Sequence, residues 1–470
     1  MERANLITLL FFASLILCSF FAAYLAQITL PIYVLAALII ILLFVATFLN
    51  SEAALYILIF SMLLGPEFLI GGGGSASERG LTFRMDDFIL TIIVFSWFAK
   101  TAVHKELGLF LKTPINIPIA LYIFIAAIAT NWGMLMGRVS FLNGFFFVLK
   151  YIEYVFVYFM VVDNLHTQKQ TRRLIFCALL VCFLVSLYGI SQIPTGLRVS
   201  APFEGEIGEP NTFGGYLVFM IAVASGILLH IGEKKNYYKV ALLVVLVTAF
   251  LAFVFTLSRT SYLAFIAMYL ALLTFSKKKG LLFFLLFCII VSSSTATFIV
   301  PVSVKERIAF TYSQQKDPRQ LQFGKVRLDT SSSDRLKSWN RAMNDFAKKP
   351  ILGYGVTGYL HFMDAQYPKI LVETGLLGLA TFFFLLHSIF KAAKQNLELT
   401  SDPLNQGIII GFLSGFVGLV FHGLGANTFI IVRIMEPFWL VAGIVVLLPI
   451  LERREKDLLE LAAEAEKQPA

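Results

Sequence analysis

Apolar runs of roughly 20 residues recur from one end of this chain to the other, and each is long enough to cross ~30 Å of hydrocarbon as a helix. That repetition admits few folds. Inside a bilayer every backbone N–H and C=O must be satisfied within the protein, so the choices are helices or a closed barrel. A barrel needs alternating strands of about 10 residues, which are absent. Only 14% of residues are charged, against about 25% in soluble domains. The expectation is an all-α polytopic membrane protein.

Candidate spans fall at 5–26, 30–49, 53–70, 87–103, 115–133, 145–162, 173–192, 210–231, 240–257, 261–275, 281–301, 366–390, 407–425 and 429–450. Fourteen is the preferred count, with twelve to fourteen as the range. The segment 53–70 contains Pro66, and 240–275 admits other cuts. Met1–Gln27 resembles a signal peptide, but its apolar stretch is too long and lacks an A-x-A site, so it reads as the first span. The organisation expected is helices one to eleven over 1–300, a large loop over 301–365, helices twelve to fourteen over 366–450 and a charged tail over 451–470.

Lys and Arg in short loops orient the chain. Lys100 and Lys105, Lys169 to Arg173, Lys234 to Lys239, Lys277 to Lys279, Lys391 and Lys394, and Arg453 to Lys456 all fall on one side if both termini are cytoplasmic. The 301–364 loop then lies outside, in the periplasm of a bacterium. It is the one long polar segment, rich in Lys and Arg (Lys305, Arg307, Lys316, Arg319, Lys325, Arg327, Arg335, Lys337, Arg341, Lys348, Lys349), and it suits an anionic, lipid-linked substrate. The net charge of +9 mixes this loop with ordinary cytoplasmic excess. No basic-aromatic module stands outside the membrane, so nucleic acid is not an expected partner. Cys18, Cys177, Cys182 and Cys288 lack disulfide or metal spacing and read as packing residues.

Several polar segments border the outer face. Gly353-Tyr354-Gly355-Val356-Thr357-Gly358 matches a dinucleotide fingerprint, but no βαβ unit surrounds it; a tight turn before the next span is expected. Residues 333–346 read as an amphipathic helix capped by Ser333 or Asp334, with Leu336, Trp339, Met343 and Phe346 on one face. Arg335 near its start suits a phosphate. Arg259 sits between two apolar runs, either as a snorkelling anchor or as a bidentate reader of pyrophosphate. Arg198, Glu204, Glu206, Glu209 and Asn211 form a polar loop stiffened by Pro202 and Pro210, which is either solvated or the source of a general base. Asp364 and Glu373 open the span after the large loop, as a cap, a buried carboxylate or part of a site.

Taken in order, these pieces resemble the O-antigen ligase and polymerase superfamily of bacterial envelope glycan assembly. The resemblance rests on Arg84-Met85-Asp86-Asp87, Glu209-Pro210-Asn211-Thr212-Phe213-Gly214 and Ser258-Arg259-Thr260, then on Asp334-Arg335-Leu336 with Trp339 and Pro350 to Gly355. It ends with Asp364, Gln366 and Tyr367, then Leu371 and Glu373 to Gly378, and so covers about 80–425. The chain departs from the ligase pattern where Asp364-Ala365 stand in place of His-Asn; His361 lies three residues upstream. That version is more like the polymerases.

The resemblance implies a GT-C-type glycosyltransferase of the inner membrane, active at the periplasmic face without metal or cofactor. Its donor would be an oligosaccharide on undecaprenyl pyrophosphate. Its acceptor would be another lipid-linked unit (polymerase) or lipid A-core (ligase), with membrane lipid and a chain-length regulator as further partners. Arg198, Arg259 and Arg335, with Asn211, Tyr367 and Arg84, would bind pyrophosphate or glycan. Asp364, Glu209 or His361 would serve as base. A polysaccharide or lipid transporter is the rival from another class; it would place its charges near the bilayer midplane.

Overall fold

A computed structural model describes residues 31–70, 81–103, 111–203, 208–232, 236–280, 320–323, 326–327, 329–361 and 363–465. The expected spans at 5–26 and 281–301, Glu204, Glu206 and the first part of the large loop lie outside these residues. The chain divides into a small unit (1–54 and 88–109) and a large one (55–87 and 110–470).

Among the described residues the protein is helical, with thirteen α-helices. They are α1 (Pro31–Leu49), α2 (Ser51–Leu64), α3 (Met85–Val103), α4 (Asn116–Leu135), α5 (Phe141–Asn164), α6 (Gln168–Gln192), α7 (Pro210–His230) and α8 (Asn236–Phe255). After them come α9 (Arg259–Phe275), α10 (Thr330–Phe346), α11 (Gln366–Leu399), α12 (Pro403–His422) and α13 (Val432–Ala465). Eight are long and apolar enough to cross a membrane: α4 to α8 and α11 to α13. The protein is therefore a multi-pass helical membrane protein.

In the small unit, Ser96 Oγ donates to the Phe44 carbonyl (3.0 Å) and Lys100 Nζ donates to Ser51 Oγ (2.9 Å). The large unit is organised around α7 and α13, the most enclosed spans. α7 packs on α12 with glycines at the crossing. A Cβ on Gly226 would lie 2.3 Å from the Gly407 carbonyl oxygen, and one on Gly411 2.6 Å from Val223 Cα. Membrane helices come this close only where side chains are small, because dispersion at short range replaces the hydrophobic drive they lack. At the far end from the site described below, Glu452 accepts from Ser401 N (2.9 Å), Asp402 N (3.1 Å) and Asn405 Nδ2 (2.8 Å), and Arg172 pairs with Asp402 at 2.8 Å.

Two expectations change. The segment 53–70 is not one helix: α2 stops at Leu64, and Glu67–Ile70 (β1) pairs antiparallel with Leu81–Arg84 (β2). Pro66 lacks an N–H and disfavours helical backbone at Gly65, which ends the helix there. A second, two-residue hairpin joins Gln322–Phe323 (β3) to Val326–Arg327 (β4); both hairpins are short, and the fold remains helical in class. The amphipathic helix begins at Thr330, not near Ser333, because Asp329 is its cap and accepts from Ser332 N at 3.1 Å. Trp339, Ala342 and Phe346 dock on Met363 and Val372, whereas Leu336 and Met343 stay exposed. The charged tail expected over 451–470 is helical as far as Ala465, where α13 ends.

The Gly353 motif is a turn, and it has a structural task. α11 breaks at Gly375, whose φ of 69° and ψ of −166° are open to almost nothing but glycine. A break frees backbone groups that need partners. Tyr354 N and Gly355 N donate to the carbonyls of Val372 (2.9 Å) and Glu373 (2.8 Å), and Leu376 N donates to the Pro350 carbonyl (2.8 Å). The turn thus completes the broken helix. A Cβ on Gly375 would lie 2.2 Å from the Ile351 carbonyl oxygen. Gly375→Ala is expected to destabilise by about 2 kcal/mol or more, read as a lower thermal midpoint in detergent; an unchanged midpoint would show that the turn can shift away.

Candidate functional site

The helix ends of the large unit gather at one face. Val199 N donates to the Phe255 carbonyl (3.1 Å), Gln366 N to the Gly423 carbonyl (3.0 Å), Asn427 Nδ2 to the Met363 carbonyl (2.7 Å) and Phe429 N to Gln366 Oε1 (2.9 Å). The starts of α7, α9 and α11 therefore meet the ends of α8 and α12 through backbone and amide contacts, and loops bearing cations lie over them.

Arg198 is held at two points. Its Nε donates to the Thr256 carbonyl (3.0 Å) and its Nη2 to Asn211 Oδ1 (3.2 Å). Ser258 Oγ donates to the same Asn211 oxygen at 2.8 Å. Ser258 also caps α9, accepting from Ser261 N, and so fixes the turn that carries Arg259. Asn211 thereby links the Arg198 loop to the Arg259 turn.

Arg259 Nη2 meets Asp329 Oδ2 at 2.6 Å, which ties α9 to the cap of α10. Burial pushes the Asp329 carboxyl up, but the bonds from Arg259 and Ser332 outweigh it and hold the group below its ordinary 3.8. A depressed carboxyl stabilises in full above its unfolded value and loses that contribution as pH falls through the lower folded one. Asp329→Ala should therefore lower the thermal midpoint by an amount equal at about pH 5 and about pH 8, and converge on wild type only in strong acid. A gap that closes between those two values would contradict this assignment.

Arg335 Nη2 lies 3.4 Å from Asp364 Oδ2, with side chains 26% and 33% exposed. A contact this long and this wet contributes little to stability. Asp364 does not cap α11; Ala365 holds that position without a side-chain bond. Glu209 accepts from Thr212 Oγ1 (2.8 Å) at the start of α7. His361 is exposed and packs edge-on against Tyr359, whose hydroxyl donates to Asp345 Oδ2 (3.0 Å). Burial and the Asp345 carboxylate push the Tyr359 hydroxyl up to about 12. Glu373 is buried and accepts from Thr357 N at 3.2 Å.

Two expected binding residues are engaged elsewhere. The Tyr367 hydroxyl donates to the Val420 carbonyl, and its ring stacks on Phe383. Arg84 is 5% exposed, pairs with Asp86 at 3.2 Å and donates to the Met62 carbonyl (3.2 Å). It belongs to a buried cluster with Asp87, Glu153 and Glu436. Arg433, one turn before Glu436, donates to the Pro202 (2.7 Å) and Phe203 (3.1 Å) carbonyls beneath the Arg198 loop.

The sequence reading passed over Asp329 as the partner of Arg259, and Ser261, His422 and Thr428 behind Ser258. Arg433, Glu436 and Glu153 carried a usable signal, since charges inside apolar runs are costly and tend to be retained for function. Among the described residues, no group of three or more His, Cys, Asp or Glu side chains is placed to hold a metal ion.

Residues 244–383, from within α8 to within α11, match the O-antigen ligase family. The match covers Ser258, Arg259, Asp329, Arg335, Asp364 and the Gly353 turn, and it supports the resemblance to the O-antigen ligase and polymerase superfamily. No curated protein matches the chain.

Proposed function

On the premise that residues 244–383 carry the O-antigen ligase signature, we propose that this chain is a GT-C-type glycosyltransferase acting on oligosaccharides linked to undecaprenyl pyrophosphate. The reading continues with fourteen spans, both termini in the cytoplasm and the helix-end face in the periplasm of a bacterial inner membrane. The observation that carries it is the contact of Arg198 and Ser258 on one Asn211 oxygen, which couples two guanidinium-bearing loops at the face where α10 also docks.

The chemistry follows from those groups. An acceptor hydroxyl oxygen attacks the anomeric carbon of the donor sugar, and the bond from that carbon to the pyrophosphate oxygen breaks. The bonding pair leaves with the lipid pyrophosphate. Arg198, Arg259 and Arg335 stabilise that charge with preorganised donors. The hydroxyl proton passes to Asp364, with Glu209 and His361 as the other candidates. Asp329 and Asp364 act as internal counter-ions while the site is empty of substrate, and an arriving pyrophosphate displaces Asp364 readily from its 3.4 Å contact.

The acceptor is another lipid-linked repeat unit, making the enzyme a polymerase that a chain-length regulator would serve. Asp364-Ala365 in place of His-Asn favours this reading. Transfer to lipid A-core is the second reading, favoured by the family that matches. Purified protein in liposomes with undecaprenyl-pyrophosphate-linked oligosaccharide tests both. A ladder of lengthening glycans supports polymerase, product only with lipid A-core supports ligase, and no product with either acceptor overturns the reading.

Orientation has its own test. Leu360 is 89% exposed beside the site and Leu459 is 65% exposed on the tail of α13. In a variant with the four native cysteines changed to serine, Leu360→Cys should react with an impermeant maleimide on intact spheroplasts. Leu459→Cys should react only after lysis. The reverse pattern would place the face in the cytoplasm.

A further inference from the structure

His422, at the buried end of α12, holds the middle of a polar series that ends on Asn211. Its Nδ1 lies 2.7 Å from Thr428 Oγ1 and its Nε2 3.2 Å from Ser261 Oγ. Ser261 Oγ donates to Ser258 Oγ (2.8 Å), and Ser258 Oγ donates to Asn211 Oδ1 (2.8 Å). Each residue up to Ser258 is at most 1% exposed. The donor order assigns the tautomer. Ser261 gives its hydrogen to Ser258, so it accepts from Nε2–H; Nδ1 is then the acceptor for the Thr428 hydroxyl at 2.7 Å, a shorter contact than the 3.4 Å from that hydroxyl to the Ala426 carbonyl. A neutral imidazole satisfies the whole series, and every donor points the same way, which strengthens each bond. Gly215 makes room for the ring, since a Cβ there would lie 2.9 Å from His422 Cε1.

The series converges on one oxygen. Asn211 Oδ1 takes both Ser258 and Arg198 Nη2, which fills its two lone pairs and fixes the amide against flipping. Among the described residues no acceptor sits on Asn211 Nδ2. With Oδ1 fixed at two points the amide plane is fixed, and the Nδ2 hydrogens keep one direction as donors. We propose that His422 is a positioning residue that, through Ser261 and Ser258, presets the Asn211 amide to donate to an oxygen of the pyrophosphate leaving group. The inference rests on the glycosyl-transfer reading above. No proton needs to travel along the series, because it ends on an amide oxygen; what it transmits is orientation.

The test is a double-mutant cycle in the liposome assay with undecaprenyl-pyrophosphate-linked oligosaccharide. His422→Phe removes both bonds at similar bulk, and Thr428→Val severs only the far end. Placing a donor wrongly costs rate more than affinity, so kcat should fall about 10- to 100-fold for His422→Phe and about threefold for Thr428→Val, with the KM for donor within about twofold. His422→Gln, whose amide can still donate toward Ser261, should recover part of the loss. In an Asn211→Ala background, Thr428→Val and His422→Phe should add nothing, since coupled residues are non-additive. Losses that add fully in that background, or wild-type kcat in His422→Phe, overturn the proposal. If His422→Phe does not fold, Thr428→Val decides by the same rule. Wild-type protein that makes no product overturns the glycosyl-transfer reading itself; active wild-type protein with additive losses overturns only the role of His422.

Discussion

Arg259→Ala is expected to cut glycan transfer by at least ~10²-fold in kcat, the scale of losing a preorganised donor to a developing anion. The guanidinium is 19% exposed and stands 2.6 Å from Asp329 at the first residue of α9. Its backbone is fixed by the Ser258 cap and through it by Asn211. A snorkelling anchor would need neither a buried carboxylate partner nor a locked turn. Lysine should rescue poorly, because a point charge cannot hold Asp329 and a phosphate oxygen with one planar fork. Losing the Asp329 contact also loosens α10, so the comparison that matters is with Asp329→Ala. That variant should lose stability but keep much of its rate, while Arg259→Ala loses both. Wild-type rate in Arg259→Ala would reduce the residue to an anchor and leave the pyrophosphate with Arg198 and Arg335.

The spans were legible because hydrocarbon thickness sets one length, and runs such as 210–231 and 366–390 display it directly. What failed was punctuation. Pro66 was noticed within an apolar run, but that run alone could not say whether proline kinks the helix or ends it; pairing of 67–70 with 81–84 decides it. The start of α10 is not legible because Ser333 and Asp334 each read as a cap until Arg259 is seen to hold Asp329. The Gly353 motif is legible as a turn, yet its partner, the break at Gly375, is not. A glycine among leucines looks like ordinary small-residue packing.

Site residues were legible one at a time as polar letters near span ends. Their grouping was not. Ser261 and His422 are 161 positions apart and meet only because α9 and α12 pack side by side. Arg84 shows the same limit. Its motif with Asp86 and Asp87 suggests substrate binding, and the structure places the three in a charge cluster with Glu153 and Glu436 that the motif does not reveal. Proximity to a motif located the residue without revealing which neighbours share its charge.

Asp364→Asn is the sharpest test of the base. The substitution keeps volume and hydrogen bonding but removes the basic oxygen, so it should lower kcat by ~10²–10⁴-fold while leaving donor KM near wild type. The geometry favours this carboxylate over its rivals. Asp364 is a third exposed, lies just before α11 and meets Arg335 at 3.4 Å, a contact long enough to give way when pyrophosphate claims the guanidinium. Glu209 already accepts from Thr212 at 2.8 Å, and His361 packs against Tyr359 at the other end of α10. Glu209→Gln and His361→Ala should therefore cost less than about tenfold, well below the full loss of a general base. Normal rate in Asp364→Asn, with either of those variants inactive, would move the base to that residue. Activity in all three would leave catalysis to the departing pyrophosphate and to positioning alone, and would shift the weight of the mechanism onto Arg198, Arg259 and the amide of Asn211 that lies between them.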